Sequence, residues 1–182
     1  MAETDIATRV VDGALVRALF ARFNDREAFF ADPEATWIDR PHYRIFAQGL
    51  EMNTRDEVVA WFRGFFDAVP DLHMEVEDVV VAGEPGRERV TVRWHITGTF
   101  SGAPYMGIEP TGRPIDLRGM DLIHVEDGRV AGNNVYYDQL AFARQIGMLP
   151  LEGSLGDRLM TGAFNLVTKG RAKVHERAGR AR

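Results

Sequence analysis

The sequence predicts an α+β fold in which one curved antiparallel sheet wraps around N-terminal helices. Three observations carry the prediction: apolar residues recur at helical spacing in the first third of the chain, they shift to a period of two over at least four later segments, and a last helical stripe follows the strands. At 182 residues the chain fits a single core, since a domain of this size buries roughly 70% of its unfolded surface without disulfides or metals.

From Ile6 to Asn24, Val11, Leu15, Leu19 and Phe23 repeat every four positions with Val16 and Phe20 beside them, the stripe of an amphipathic helix. Arg26 to Leu50 mixes Pro33, Pro41 and Gly49 with short aromatic runs and predicts a short helix with irregular or short strands. In TRDEVVAWFRGFFDAVPD, Thr54 and Glu57 stand at capping-box spacing. They predict a helix to about Val69, with Val58, Phe62, Phe65 and Val69 on one face, Trp61 on its shoulder and Pro70 ending it.

Met74 and Val76 then alternate with Glu75 and Glu77, and Val90, Val92, Trp94 and Ile96 alternate with Arg93, His95 and Thr97. These are two antiparallel strands. The Gly/Pro-rich SGAPYMGIEPTGRP connects them to a hairpin and is long enough to form a lid or pocket rim. Leu140, Ala143, Ile146 and Gly147 mark a short helix, and Ser154 to Lys169 a final one carrying Leu155, Leu159 and Leu166, with Met160, Phe164 and Val167 to one side. Residues 1–150 form the main domain and 151–182 a helical extension with a basic tail in the same globular unit.

Composition narrows the function. With 45% hydrophobic and 27% charged residues the chain reads as soluble and globular, and no apolar run reaches the length of a bilayer span. The absence of cysteine excludes disulfides, thiolate nucleophiles and sulfur-ligated zinc, and it fits a cytoplasmic location. MAETDIATRV has acidic residues and no apolar stretch, which does not predict a signal peptide. The last fourteen residues, KGRAKVHERAGRAR, hold six Lys or Arg against one Glu, or +5, leaving −10 on the first 168 within a net −5. A basic end without aromatic interleaving on an acidic body predicts a solvated tail, and nucleic-acid binding is set aside.

The hairpin RGMDLIHVEDGRVAGNNVYYDQ places Asp121 in an apolar row. With a two-residue Asp127-Gly128 loop, Asp121 shares a face with Asn134, Tyr136 and Asp138. With a three-residue Glu126-Asp127-Gly128 loop, it shares a face with Asn133, Val135 and Tyr137. The second register makes the better core, gathering Ile115, Leu117, Ile123, Val125, Ala131 and Val135 and turning Asp116, Arg118, His124, Asn134 and Asp138 away. It also puts Asp121, Asn133 and Tyr137 among apolar side chains, where an unpaired polar group costs about 1–3 kcal/mol. Asp121 is then either a general base made more basic by its setting or a structural carboxylate satisfied by backbone N–H groups or Asn133. Tyr137 is either a donor to a developing oxyanion or an amphipathic core aromatic. His42 in DRPHYR is a rim acid or base or a solvated loop residue. No histidine pair at metal spacing, GxSxG, phosphate loop or dinucleotide fingerprint occurs.

PDLHMEVEDVVVAG, RWHITGTFSG, TGRPIDLRGMDLIHVEDGRV and YYDQLAFARQIGML together resemble the SnoaL-like polyketide cyclases (ester cyclases) of the nuclear transport factor two-like superfamily, over about Val11 to Leu149. The resemblance implies a cone-shaped barrel of a mixed, mainly antiparallel sheet, a homo-oligomer, most simply a dimer, and a deep apolar pocket for a polyketide-like ligand. It also implies ring closure by aldol chemistry without metal or cofactor. In the family the strand after DGR often reads His-Trp-Asp; here it reads Asn133, Asn134, Val135, so the usual catalytic aspartate is a valine, and the assisting histidine falls on Asp121. Phe23 and Trp61 match pocket-lining positions, and Val135, Trp94 and His42 complete the expected substrate-binding set.

Three functions follow. The first is a cofactor-free cyclase or isomerase of an apolar carbonyl compound, with Asp121 as base and Tyr137 and Asn133 bonding the enolate oxygen. The second is epoxide opening by Asp116, Arg118 and Asp138. The third is noncatalytic binding of a small molecule.

Overall fold

The computed structural model describes residues 11–180, with side chains through residue 171. The N-terminal helix α1 spans Gly13–Ala21, and a 3-10 turn carries it on to Asn24. It begins later than the predicted Ile6, because the Asp12 side chain accepts from the Leu15 N–H and caps the first turn. Ile6 to Val10 lie outside the described residues. Two short helices follow, α2 (Arg26–Phe30) and α3 (Pro33–Thr36), each capped by an aspartate, with Pro33 in the first turn of α3.

The strand β1 (Trp37–Ile45) is longer than the sequence suggests. Its ladder is interrupted between Trp37 and His42, where Pro41 has no N–H to give. After a one-turn helix at Phe46–Gln48 comes β2 (Leu50–Met52), then α4 (Arg55–Ala68) with both halves of the Thr54–Glu57 capping box in place. The remaining strands are β3 (His73–Ala82), β4 (Arg89–Phe100), β5 (Arg113–Glu126) and β6 (Arg129–Tyr137). Helices α5 (Gln139–Gln145) and α6 (Leu155–Arg180) close the chain.

The six strands form one mixed sheet in the order β2-β1-β6-β5-β4-β3, antiparallel except for the β1–β6 pair. The sheet curves but does not close; β2 and β3 are its free edges. Helices α1 and α4 pack on its concave side against β3 and β1, and α5 packs on β5. Between helices and sheet sits an aromatic cluster in which Phe29 lies 4.5 Å from Phe23 and 5.0 Å from Phe62, ring centre to ring centre. A bulge at Glu77 in β3 resets the alternation, so that Val79 and Val81 face inward after Met74 and Val76.

The β5–β6 turn corrects the predicted register in detail. Glu126 pairs with Arg129 across a two-residue turn, with Asp127 at φ 49° and Gly128 at φ 75°. This is a primed turn, whose left-handed second position favours glycine. One residue later Ala131 bulges out, so Val125 pairs with Val130 but His124 with Gly132. The bulge restores the face expected from a three-residue loop and slides it by two residues: Asp121 stands directly opposite Val135.

Helix α6 extends past the predicted Lys169 to Arg180; the side chains of 172–182, with most of the basic tail, lie outside the described residues. Its apolar stripe is exposed, Leu159 by 74% and Phe164 by 70%. No helix among the described residues is long and apolar enough to cross a membrane.

Candidate functional site

Asp121 sits mid-strand on β5, and among the described residues its carboxylate is held by side chains alone. Oδ1 accepts from the Trp94 indole N–H at 2.9 Å, and Oδ2 accepts from the Asn133 amide at 2.8 Å. The same Asn133 nitrogen donates to the Tyr43 hydroxyl at 2.9 Å, while the buried Asn133 carbonyl oxygen has no partner among the described residues. Burial raises the Asp121 carboxyl to about 6, against the pull of the Trp94 and Asn133 hydrogen bonds, which favour the charged form. Burial, and then the Asp121 charge, push the Tyr43 phenol well above its ordinary value.

The architecture explains this setting. Trp94 faces inward from β4, and its ring lies over Gly119, whose missing side chain leaves the indole room beside the β5 backbone. Tyr43 faces inward from β1 beside Asn133 on β6. Three neighbouring strands thus meet at one carboxylate.

Asp121 borders two cavities. The larger, about 240 Å³, lies under α1 and is lined by Leu15, Val16, Phe20, Ile123, Val125 and Val130 among others, with Asn133 at its floor. The smaller, about 60 Å³, is lined by Trp61, Phe65, Trp94, Leu117, Val135 and Tyr137 among others. Phe23, Tyr43 and Phe62 border both. Both enclosures are mainly apolar with a few convergent polar groups, the usual character of a small-molecule site.

The smaller cavity holds a second polar group. The Gln48 amide donates to the Tyr137 hydroxyl at 2.7 Å and to the Tyr105 hydroxyl at 3.1 Å, and it accepts from the Trp61 indole at 3.3 Å.

Of the predicted site residues, Asp121, Asn133, Tyr137, Phe23, Trp61, Trp94 and Val135 all border one or both cavities. His42 does not. Strand alternation sends Tyr43 inward and His42 outward, where its Nε2 lies 2.7 Å from Glu51 on β2. Asp116, Arg118 and Asp138, the epoxide-opening set, also lie on the outer side: Asp116 meets Arg118 and His95, Arg118 meets Glu77, and Asp138 caps α5. Sequence reasoning missed Tyr43, Gln48 and Tyr105. Tyr43 was readable, since Pro41, Tyr43 and Ile45 alternate with polar residues; Gln48 and Tyr105 carry no periodic signal.

A sequence model of the SnoaL-like polyketide cyclase family matches residues 38–146. No curated protein matches the sequence. Among solved structures, TsrD from Streptomyces laurentii is 27% identical, covering 76% of this chain and 99% of its own, with a TM-score of 0.59. AclR from Streptomyces galilaeus is 22% identical over 89% of this chain and 95% of its own, with a TM-score of 0.59. A Catenulispora acidiphila protein with a ketosteroid isomerase-like fold is 18% identical over 75% and 95%, with a TM-score of 0.57. These similarities establish the fold, and the profile match spans more than half of the chain. The chain belongs to the SnoaL-like polyketide cyclase family.

Proposed function

We propose that the protein is a cofactor-independent cyclase or isomerase that removes a proton next to the carbonyl of an apolar, polyketide-like compound. One observation carries this reading: Asp121 is a buried carboxylate between two apolar cavities, with a carboxyl at about 6. Such a group is ionised at neutral pH yet more basic than a solvated aspartate, as a general base must be. The carboxylate takes the proton, the C–H electron pair moves toward the carbonyl oxygen, and Tyr137 donates to that oxygen. Asn133 acts as a positioning residue, because both hydrogens of its amide are engaged with Asp121 and Tyr43.

The place of Val135 supports a relocated base. It faces Asp121 across the ladder, and directly opposed side chains start only about 5 Å apart. A carboxylate moved from β6 to β5 therefore still reaches the same interior. Val135 also gives the noncatalytic reading its observation, since the residue expected to be acidic is apolar. Proton exchange separates the two. Apolar ketones and β-dicarbonyl compounds incubated in D₂O with the protein should lose their α-proton NMR signals, and Asp121→Asn should abolish the loss; compounds that bind without exchange would favour a binding protein.

The apolar stripe exposed on α6 accords with a homodimer as the working form, which sedimentation equilibrium of the full chain would read.

A further inference from the structure

The polar cluster of Gln48, Tyr105 and Tyr137 has a definite direction. An indole nitrogen only donates, so the Trp61 N–H, shared between the Gln48 oxygen at 3.3 Å and the Tyr105 hydroxyl, favours the oxygen of the Gln48 amide on its own side and the nitrogen toward the two phenols. That nitrogen has two hydrogens, one for Tyr137 and one for Tyr105. Each phenol oxygen is thus an acceptor and keeps its own proton to give, and among the described residues neither hydroxyl has an acceptor. Both tyrosines line the smaller cavity with Asp121.

The rings are held on separate elements. Tyr137 ends β6. Tyr105 stands at the tip of the β4–β5 connection, where Tyr105 and Ile108 exchange backbone hydrogen bonds across a tight turn, and its ring packs 5.6 Å from Phe65. Trp61 stacks on the same Phe65 at 5.9 Å, tying the pinning indole to the pinned phenol.

We infer that Tyr105 and Tyr137, oriented by Gln48, form a two-donor site for the oxygen of an enolisable ketone or β-dicarbonyl compound, on which negative charge develops in the reaction. The catalytic use of this site rests on the proton-abstraction reading above; its capacity to bind an oxyanion does not. In the step itself the C–H bond breaks, its proton passes to Asp121, and its electron pair forms the C–C double bond as the carbonyl π electrons move onto oxygen. That oxygen then accepts from both phenols. A single amide sets the direction of both donors before substrate arrives, which is the condition for electrostatic stabilisation without reorganisation.

The test uses 4-nitrophenol with the full chain, because its phenolate absorbs distinctly from its neutral form and reports the charge of the bound oxygen. The wild type should bind it as the phenolate at a pH where the free probe is mostly neutral. Tyr105→Phe and Tyr137→Phe, each lacking one oxygen atom, should weaken that binding about tenfold or more. Gln48→Glu keeps the volume but turns the acceptor toward both phenols, and it should eliminate phenolate binding; circular dichroism checks that it folds. Asp121→Asn, which removes a like charge from the same cavity, should bind the phenolate at least as tightly as the wild type. Unchanged phenolate binding in Tyr105→Phe, or a wild type that binds only the neutral probe, would overturn the inference. If either happens while Asp121→Asn abolishes proton exchange, only the two-donor site fails. If the probe behaves as expected while no ketone exchanges, the site stands and the assignment of Asp121 as base falls.

Discussion

Asp121→Asn should make the protein more stable above pH 6 while abolishing the proposed proton abstraction. The carboxyl goes from a value near 3.8 when unfolded to about 6 when folded. Between these values the native state keeps a proton that the unfolded chain has released, so stability falls as pH rises through the window and is flat above it. Slightly more than two pKa units, at about 1.4 kcal/mol each, is a cost of about 3 kcal/mol at pH 8. The amide replacement escapes this cost. It can still accept from Trp94, and its new N–H₂ group meets the Asn133 position, where a turned-over amide presents the carbonyl oxygen that now lacks a partner. Turning Asn133 over gives up its donation to Tyr43 and leaves its N–H₂ short of acceptors, a cost of about 1–2 kcal/mol, so the variant should gain about 1 kcal/mol at pH 8, or about 3 °C in melting temperature for a chain of this size. Urea denaturation of both proteins at pH 8, 6 and 4 measures the difference. Glu57 and Asp71, whose carboxyls hydrogen bonds hold below their ordinary values, act in both proteins and cancel. A difference of zero at pH 8, or one that persists unchanged at pH 4, would refute burial as the source of this basicity.

Three further outcomes follow from the same geometry. Trp94→Phe removes a donor to the charged carboxylate, so the pH at which proton abstraction reaches half its maximum should rise by about one unit, read from the pH–rate profile. Gly119→Ala brings a methyl group into the Trp94 ring and to 2.6 Å from the Tyr136 carbonyl oxygen; it should cost about 2 kcal/mol or more in urea denaturation and reduce turnover with it. The double change Leu159→Ser and Phe164→Ser on α6, at side chains 74% and 70% exposed, should leave the unfolding free energy of dilute, monomeric protein within about 0.5 kcal/mol of the wild type.

How much of this was legible depended on whether a local rule governed the residue. The α4 boundaries followed from Thr54, Glu57 and Pro70, because a capping box and a proline act within one turn. The inward face of β4 followed from strict alternation. The start of β1 was hidden because α3 leads into it without a break and Pro41 interrupts its pairing, and its parallel partner β6 lies some ninety residues away. The β5–β6 hairpin is the instructive case. Its core face was read correctly from the apolar pattern, yet through the wrong turn, since a two-residue loop with a bulge and a three-residue loop give the same parity. Pattern decides the face, and only the ladder decides the opposite residue. Gln48 and Tyr105 lie in a turn and a loop, so their meeting with Tyr137 is a product of tertiary structure alone.

The position of the carboxylate also bears on how a substrate would lie. A base on β6 at Val135 would border only the smaller cavity, whereas Asp121 borders both. The wall between them is made of Phe23, Tyr43 and Phe62, with Asp121 at its base. If Tyr105 and Tyr137 hold the carbonyl oxygen as proposed, the rest of a large ligand would extend past Asp121 toward the roomier space under α1. A C–H bond adjacent to that carbonyl then passes the carboxylate on the way. Shortening Phe62 or Phe23, which border both cavities, should therefore alter the size of ligand accepted before it alters the proton transfer itself.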